Sequence, residues 1–153
     1  MPYPKVISMF LILAVTIGIV HAAKSQPLKR YSWKNRPLII FAAHENSQEL
    51  LRQRRIIRSH IAGFHERDMV VIEIAGSHVR SRLGERPSVS AEILRSYYGV
   101  GKQQFRVILV GKDGGNQLQS TSAIHASRLF RLIDSMPMRQ QEMRDRSTIV
   151  DIQ

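Results

Sequence analysis

The run Phe105-Arg-Val-Ile-Leu-Val-Gly-Lys-Asp-Gly-Gly-Asn-Gln-Leu-Gln119 constrains the fold more than any other stretch of this chain. Phe105 to Val110 places β-branched or large apolar residues on both faces, interrupted only by Arg106. A half-exposed strand would alternate, so this one is predicted to be covered on both sides. Asp113-Gly114 is a turn signal, because glycine takes a positive φ without steric cost and aspartate tolerates one. The returning residues, Asn116 to Ser120, offer only Leu118 as an apolar side chain, which suits a strand at the edge of a sheet. The hairpin speaks to architecture and says little about chemistry.

The N-terminal residues read as an address rather than as part of the fold. Lys5 precedes an uncharged apolar run, Val6 to Val20, too short for a comfortable membrane span, and Val20-His21-Ala22 places small residues at a cleavage site. Residues 1–22 are therefore expected to be a secretory signal peptide, leaving an exported protein, periplasmic or secreted, with no transmembrane span after cleavage. Removing 22 of 153 residues leaves 131, enough for one domain with a real core. Lys5 is the only charge removed, so the net charge falls from +11 to +10. A basic exported chain favours anionic envelope components or acidic proteins as partners, and nucleic acid is not expected. The absence of cysteine excludes disulfides and thiol chemistry together, including thiol–disulfide exchange and thiol peroxidase activity.

In order along the chain, residues 23–32 read as a flexible arm. Pro37 to Ala42 reads as an apolar strand, followed by the loop Ala43-His-Glu-Asn46 and a helix capped by Asn46 or Ser47. Leu50, Ile57, Ile61 and Phe64 form that helix's apolar stripe, with Arg52 and Arg55 pointing away and the Arg54 head reaching water from its edge. Asp68 to Ala75 is a second strand, and Gly76 to Ser88 a long loop. Ser88 or Ser90 caps a short helix ending at Tyr98-Gly99. After the hairpin, Ser122 caps a helix with Ala126, Leu129, Phe130 and Ile133 on one face. Pro137 opens a last short helix in which Arg139, Glu142 and Arg146 are spaced to pair. The domain spans residues 33–146, with 147–153 as a tail. The expected order is β-α-β-α-β-β-α, an α/β fold with a four-stranded mixed sheet and helices on both faces. This is the thioredoxin-like arrangement.

Val110-Gly-Lys-Asp-Gly-Gly115, then Leu132-Ile-Asp-Ser-Met-Pro-Met-Arg139 and Glu142-Met143, together with Trp33, Arg36 to Ala42 and Glu66-Arg67-Asp68, carry a resemblance. They resemble the prokaryotic family of unknown function related to the DRO, URB, DRS, Equarin and SRPUL proteins, over about Trp33 to Met143. The resemblance implies a thioredoxin-like fold distantly related to peroxiredoxins, with no established activity. That pattern often has a basic residue after the turn, where Gln117 and Gln119 stand here, which argues against an anion contact from that strand.

The candidate special residues are those of the two matched runs: Lys112, Asp113, Gly114, Asp134, Met136, Pro137, Arg139 and Glu142. The bland reading makes Asp113 a turn former and lets Arg139 with Glu142 lock the last helix to the sheet. The Lys112–Gly115 turn and the Asp134–Arg139 segment are expected to meet in space, with Arg139 reaching Asp113 or Asp134. Arg52, Arg55, Arg58, Arg80, Arg82 and Arg86 form a candidate polyanion patch, whose bland reading is a solvated surface. No metal-ligand cluster and no cofactor motif is legible. The leading functional reading is an exported, non-catalytic binding or interaction module. The alternatives are a cofactor-free enzyme or redox relic using His44 or Lys112, and an envelope protein that binds anionic surface polymer or lipid.

Overall fold

The computed structural model describes residues 26–150; the signal peptide expected over residues 1–22 lies outside them. A short 3-10 turn, Lys29–Tyr31, precedes β1 (Arg36–Ala42). Next come α1 (Gln48–Ser59), α2 (Ile61–Glu66), β2 (Met69–Ala75), β3 (His78–Leu83) and α3 (Ala91–Tyr98). Then follow β4 (Arg106–Val110), β5 (Asn116–Ser120), α4 (Ala126–Asp134) and α5 (Pro137–Val150).

The strands form one five-stranded mixed sheet in the order β3-β2-β1-β4-β5. Strands β1 and β2 run parallel, while β1–β4, β2–β3 and β4–β5 are antiparallel. Every residue of β1 and β2 is buried, as continuous apolar strands at the centre of a sheet require. The alternation of each strand divides the core. Leu38, Ile40, Val71, Val107 and Leu109 pack under α1, α2 and α4 on one face. Ile39, Phe41, Ile72, Ile74 and Ile108 pack under α3 and the 3-10 turn on the other. The final hairpin is as expected, with β4 buried and β5 exposed at the edge.

Several expectations need correction, among them the short last helix and the tail from residue 147, since α5 runs 14 residues to Val150. The sheet has five strands and not four, because residues 78–83 form β3 where a loop was expected. Gly76, at φ 58°, and Ser77 close a two-residue hairpin that sets Ala75 opposite His78. The described part of the arm expected over 23–32 is packed: Leu28 and Tyr31 are buried against the α3 face. The first helix is broken at His60, which turns Ile61 outwards while Leu50, Ile57 and Phe64 stay in the core.

Local signals placed the remaining helices. Ser90 caps α3 by accepting a hydrogen bond from the Ile93 N–H, and Gly99 ends it in the left-handed conformation. Helix α4 begins after His125 rather than at Ser122, and buries Ala126, Leu129 and Ile133.

Candidate functional site

The end of the sheet where β1 and β2 begin and β4 stops collects charge from five parts of the chain. Arg36 opens β1, Glu66, Arg67 and Asp68 lead into β2, and Lys112 follows β4. Asp134 ends α4, and Arg139 and Glu142 lie in the first turns of α5. Glu142 is the centre. Its Oε1 and Oε2 accept from Arg36 Nη2 at 2.9 Å and Nη1 at 3.2 Å, and Lys112 Nζ lies 2.7 Å from Oε1. Lys112 also donates to Asp68 at 2.8 Å. Arg139 donates from Nη2 to Glu66 at 2.7 Å, and its Nε approaches Asp134 at 3.3 Å. Arg67 grips the same Asp134 carboxylate with two hydrogen bonds, at 3.0 and 2.7 Å.

Five cations, Arg36, Arg67, Lys112, Arg139 and the half-exposed Arg146, whose Nη2 lies 3.8 Å from Asp68, meet four carboxylates, Glu66, Asp68, Asp134 and Glu142. Arg36 and Arg139 are more deeply buried than their partners: they are 1% exposed, against 20% for Glu142. Burial raises the Glu142 pKa, but hydrogen bonds from Arg36 and Lys112 outweigh it and hold the group at about 2. The cluster gives every one of these cations a carboxylate partner and carries one excess positive charge. It fixes hairpin, β1 and α5 to one another and leaves no cation free for an outside anion.

Of the eight motif residues, the structure brings Lys112, Asp134, Arg139 and Glu142 together. Asp113 and Gly114 stay in the turn. The Asp113 carboxylate accepts from the Gly115 N–H at 3.0 Å, and Gly114 sits at φ 84°. Arg139 therefore reaches Asp134 and not Asp113. Met136 packs against the core at half burial, and Pro137 is the first residue of α5.

A second cluster escaped sequence reading. Glu73, in the middle of β2, is 1% exposed and is held by two arginines. Arg54 of α1 donates from Nε at 2.8 Å and Nη2 at 2.5 Å, and Arg82 of β3 from Nε at 3.0 Å and Nη2 at 2.9 Å. Burial opposes the charge, yet these hydrogen bonds hold the Glu73 carboxyl below its usual range. The Arg54 head therefore ends on a carboxylate and not in water. The signal was present: a lone glutamate inside Met-Val-Val-Ile-Glu-Ile-Ala needs partners.

The structure splits the expected polyanion patch. Arg55, Arg58 and Arg82, joined by Arg54, border a groove of about 500 Å³ whose floor is Leu51, Ile57 and Ile61. Arg80 is tied to Glu45 at 2.7 Å, and Arg52 and Arg86 lie outside the groove. Arg55 and Arg58 are exposed and, among the described residues, their guanidinium groups form no ion pair. Leu51 and Ile61 are exposed at 37% and 39%, which gives the groove an apolar floor under a cationic rim. Among the described residues, no group of three or more histidine and acidic side chains is placed to hold a metal ion.

A family model described as "Domain of unknown function (DUF4174)" matches residues 27–142, and the chain belongs to that family. The matched span contains the α1 groove and both ion clusters except Arg146. Five curated proteins match the sequence. One is the "Coiled-coil domain-containing protein 80" of Danio rerio, 26% identical over 133 residues. That alignment covers 76% of this chain and 15% of the fish protein, so this chain spans about 15% of that relative's length. No solved structure matches.

Proposed function

We propose that this member of the DUF4174 family is an exported, non-catalytic binding module on a thioredoxin-like scaffold, and that it binds an anionic lipid-like component of the envelope through the α1 groove. The scaffold reading rests on the parallel β1–β2 pair, the crossover helices on opposite faces and the terminal β4–β5 hairpin followed by α4, with β3 added at one edge. Export rests on the N-terminal residues. The relation to the DRO, URB, DRS, Equarin and SRPUL proteins rests on the Gly-Lys-Asp-Gly-Gly and Met-Pro-Met-Arg runs.

One observation carries the binding reading. In the Lys112–Glu142 cluster every cation has a carboxylate partner, whereas Arg55 and Arg58 stand exposed beside an apolar floor. Cations over exposed leucine and isoleucine suit an anion that also carries hydrocarbon. Polybasic surfaces gain about 1 kcal/mol per Lys or Arg at an anionic lipid surface, and lose it with salt. The test is co-sedimentation of mature protein with vesicles of phosphatidylglycerol and phosphatidylcholine across a salt series. Salt-sensitive binding to anionic vesicles only supports the reading. Equal binding to pure phosphatidylcholine, or none to either, contradicts it.

The rival reading, a cofactor-free enzyme using His44 or Lys112, gains nothing from Lys112, whose ammonium is held between Asp68 and Glu142. An acidic protein partner is the remaining alternative; capture by an acidic polypeptide with no vesicle binding would favour it.

A further inference from the structure

Arg36, Arg95, Lys112 and Arg139 are the buried basic side chains among the described residues. Three of them touch carboxylates, as buried charges must if their desolvation is to be offset. Arg95 does not. It is 7% exposed and spends its guanidinium on two backbone carbonyls, Gly101 at 2.8 Å from Nη1 and Ala42 at 2.7 Å from Nη2. Its Nε is buried with no hydrogen-bond partner, and its head lies 5.5 Å from the centroid of the Phe41 ring. The acid on its own helix, Glu92, is exposed and forms no ion pair with it. A formal positive charge is thus held out of water with only neutral dipoles to meet it.

Arg95 also lines a cleft of about 600 Å³, a volume typical of small-molecule sites. The position is where an open α/β sheet offers a crevice. Ala43 follows β1, Gly76 follows β2, and residues 99–103 lead into β4. Strand β1 is here flanked by β2 on one side and β4 on the other, with α1 and α3 crossing on opposite faces. Ligands of such sheets bind at the carboxyl ends of the strands where the order reverses. The cleft is open because its walls are small, with Ala43, Gly76, Ser77 and Ser96 among them. Lys102 adds a second cation at its border, so the walls carry two positive charges against Glu92 alone.

We infer that this cleft is a binding site for a small molecule bearing an oxyanion, a carboxylate or a phosphate, and that Arg95 and Lys102 supply its electrostatic attraction. The site is distinct from the α1 groove, since none of its residues borders that groove.

The test is calorimetric titration of the mature protein with sodium benzoate and with inorganic phosphate, with benzamide as the uncharged shape control and sodium chloride at matched ionic strength. Arg95→Ala removes a clamp on two backbone segments and is expected to destabilise the fold, so the deciding variants lie on the exposed rim. Ser96→Trp fills the cleft and Lys102→Glu reverses its charge, and neither residue is in the core. The expected result is saturable binding of benzoate or phosphate, whichever anion it is identifying the ligand class. Kd should rise at least about tenfold in both variants, while Arg55→Glu/Arg58→Glu binds as wild type. Three results would overturn the site: no saturable binding of either anion, benzamide binding as tightly as benzoate, or undiminished anion binding in Ser96→Trp.

Discussion

The Lys112 ammonium lies 2.7 Å from the Glu142 carboxylate, and this contact joins the end of β4 to α5. The two residues lie thirty positions apart in sequence, and the ion pair brings their segments together in space. Glu142 accepts from Arg36 as well, so one carboxylate ties the first strand, the hairpin and the last helix. On this geometry the Lys112–Glu142–Arg36 contacts act as a lock between the three elements.

Its removal should be costly. Glu142→Ala leaves Arg36 and Lys112 buried without their shared acid, and the expected loss is about 3–5 kcal/mol by urea denaturation. Asp113→Ala, by contrast, loses one exposed turn hydrogen bond to the Gly115 N–H and should cost about 1 kcal/mol. Equal losses from the two variants would mean that the lock does not carry the motif.

The same carboxylate sets an acid limit. Its pKa is depressed from 4.5 to about 2 in the folded chain, so its contribution is fully present above pH 4.5. That contribution is lost as pH falls towards 2, because the unfolded state then takes up the proton first. The contribution is at most about 3 kcal/mol, and solvent screening of the partly exposed carboxylate lowers it. Denaturation free energies measured at pH 7, 4 and 3 should fall less steeply in Glu142→Gln than in wild type. Parallel curves would refute the assignment.

Glu73 makes a different prediction, because two arginines share it. Arg82→Ala leaves Arg54 in place, so the acid keeps a two-point partner and the cost should be about 1–2 kcal/mol. Arg54→Ala/Arg82→Ala strands a buried carboxylate and should cost more than the sum of the single changes, by about 0.5–3 kcal/mol. A double-mutant cycle by chemical denaturation reads this directly, and simple additivity would contradict it.

The α1 groove should separate binding from stability. Arg55→Glu/Arg58→Glu alters exposed side chains without ion-pair partners among the described residues, so unfolding free energy should stay within about 0.5 kcal/mol per change. Affinity for anionic vesicles should drop at least about thirtyfold, from the loss of two cations near the surface. A variant that melts earlier and binds equally well would reverse the reading.

Much of the architecture was legible because it is set locally. Continuous apolar runs marked β1, β2 and β4 as covered strands, the polar return from Asn116 marked an edge, and Ser90 with Gly99 bounded α3. Strand β3 was legible too, since Gly76-Ser77 is a two-residue hairpin signal, but the arginines beyond it read as loop. Their polarity has a tertiary cause: β3 is an edge strand, and Arg82 turns inward to Glu73.

The sequence by itself determined β1, β2, β4, β5 and the bounds of α3, because apolar runs and turn chemistry act over a few residues. It also determined that thiol chemistry is absent, because no cysteine is encoded. Only the tertiary structure decided which charges are neutralised and which are not. Glu142 finds Arg36 on β1 and Lys112 in the β4–β5 turn, Glu73 finds Arg54 on α1 and Arg82 on β3, and the Arg95 donors find carbonyls alone. Pairing depends on separations of a few ångströms in space and on the exclusion of water, and neither quantity can be read from spacing along the chain.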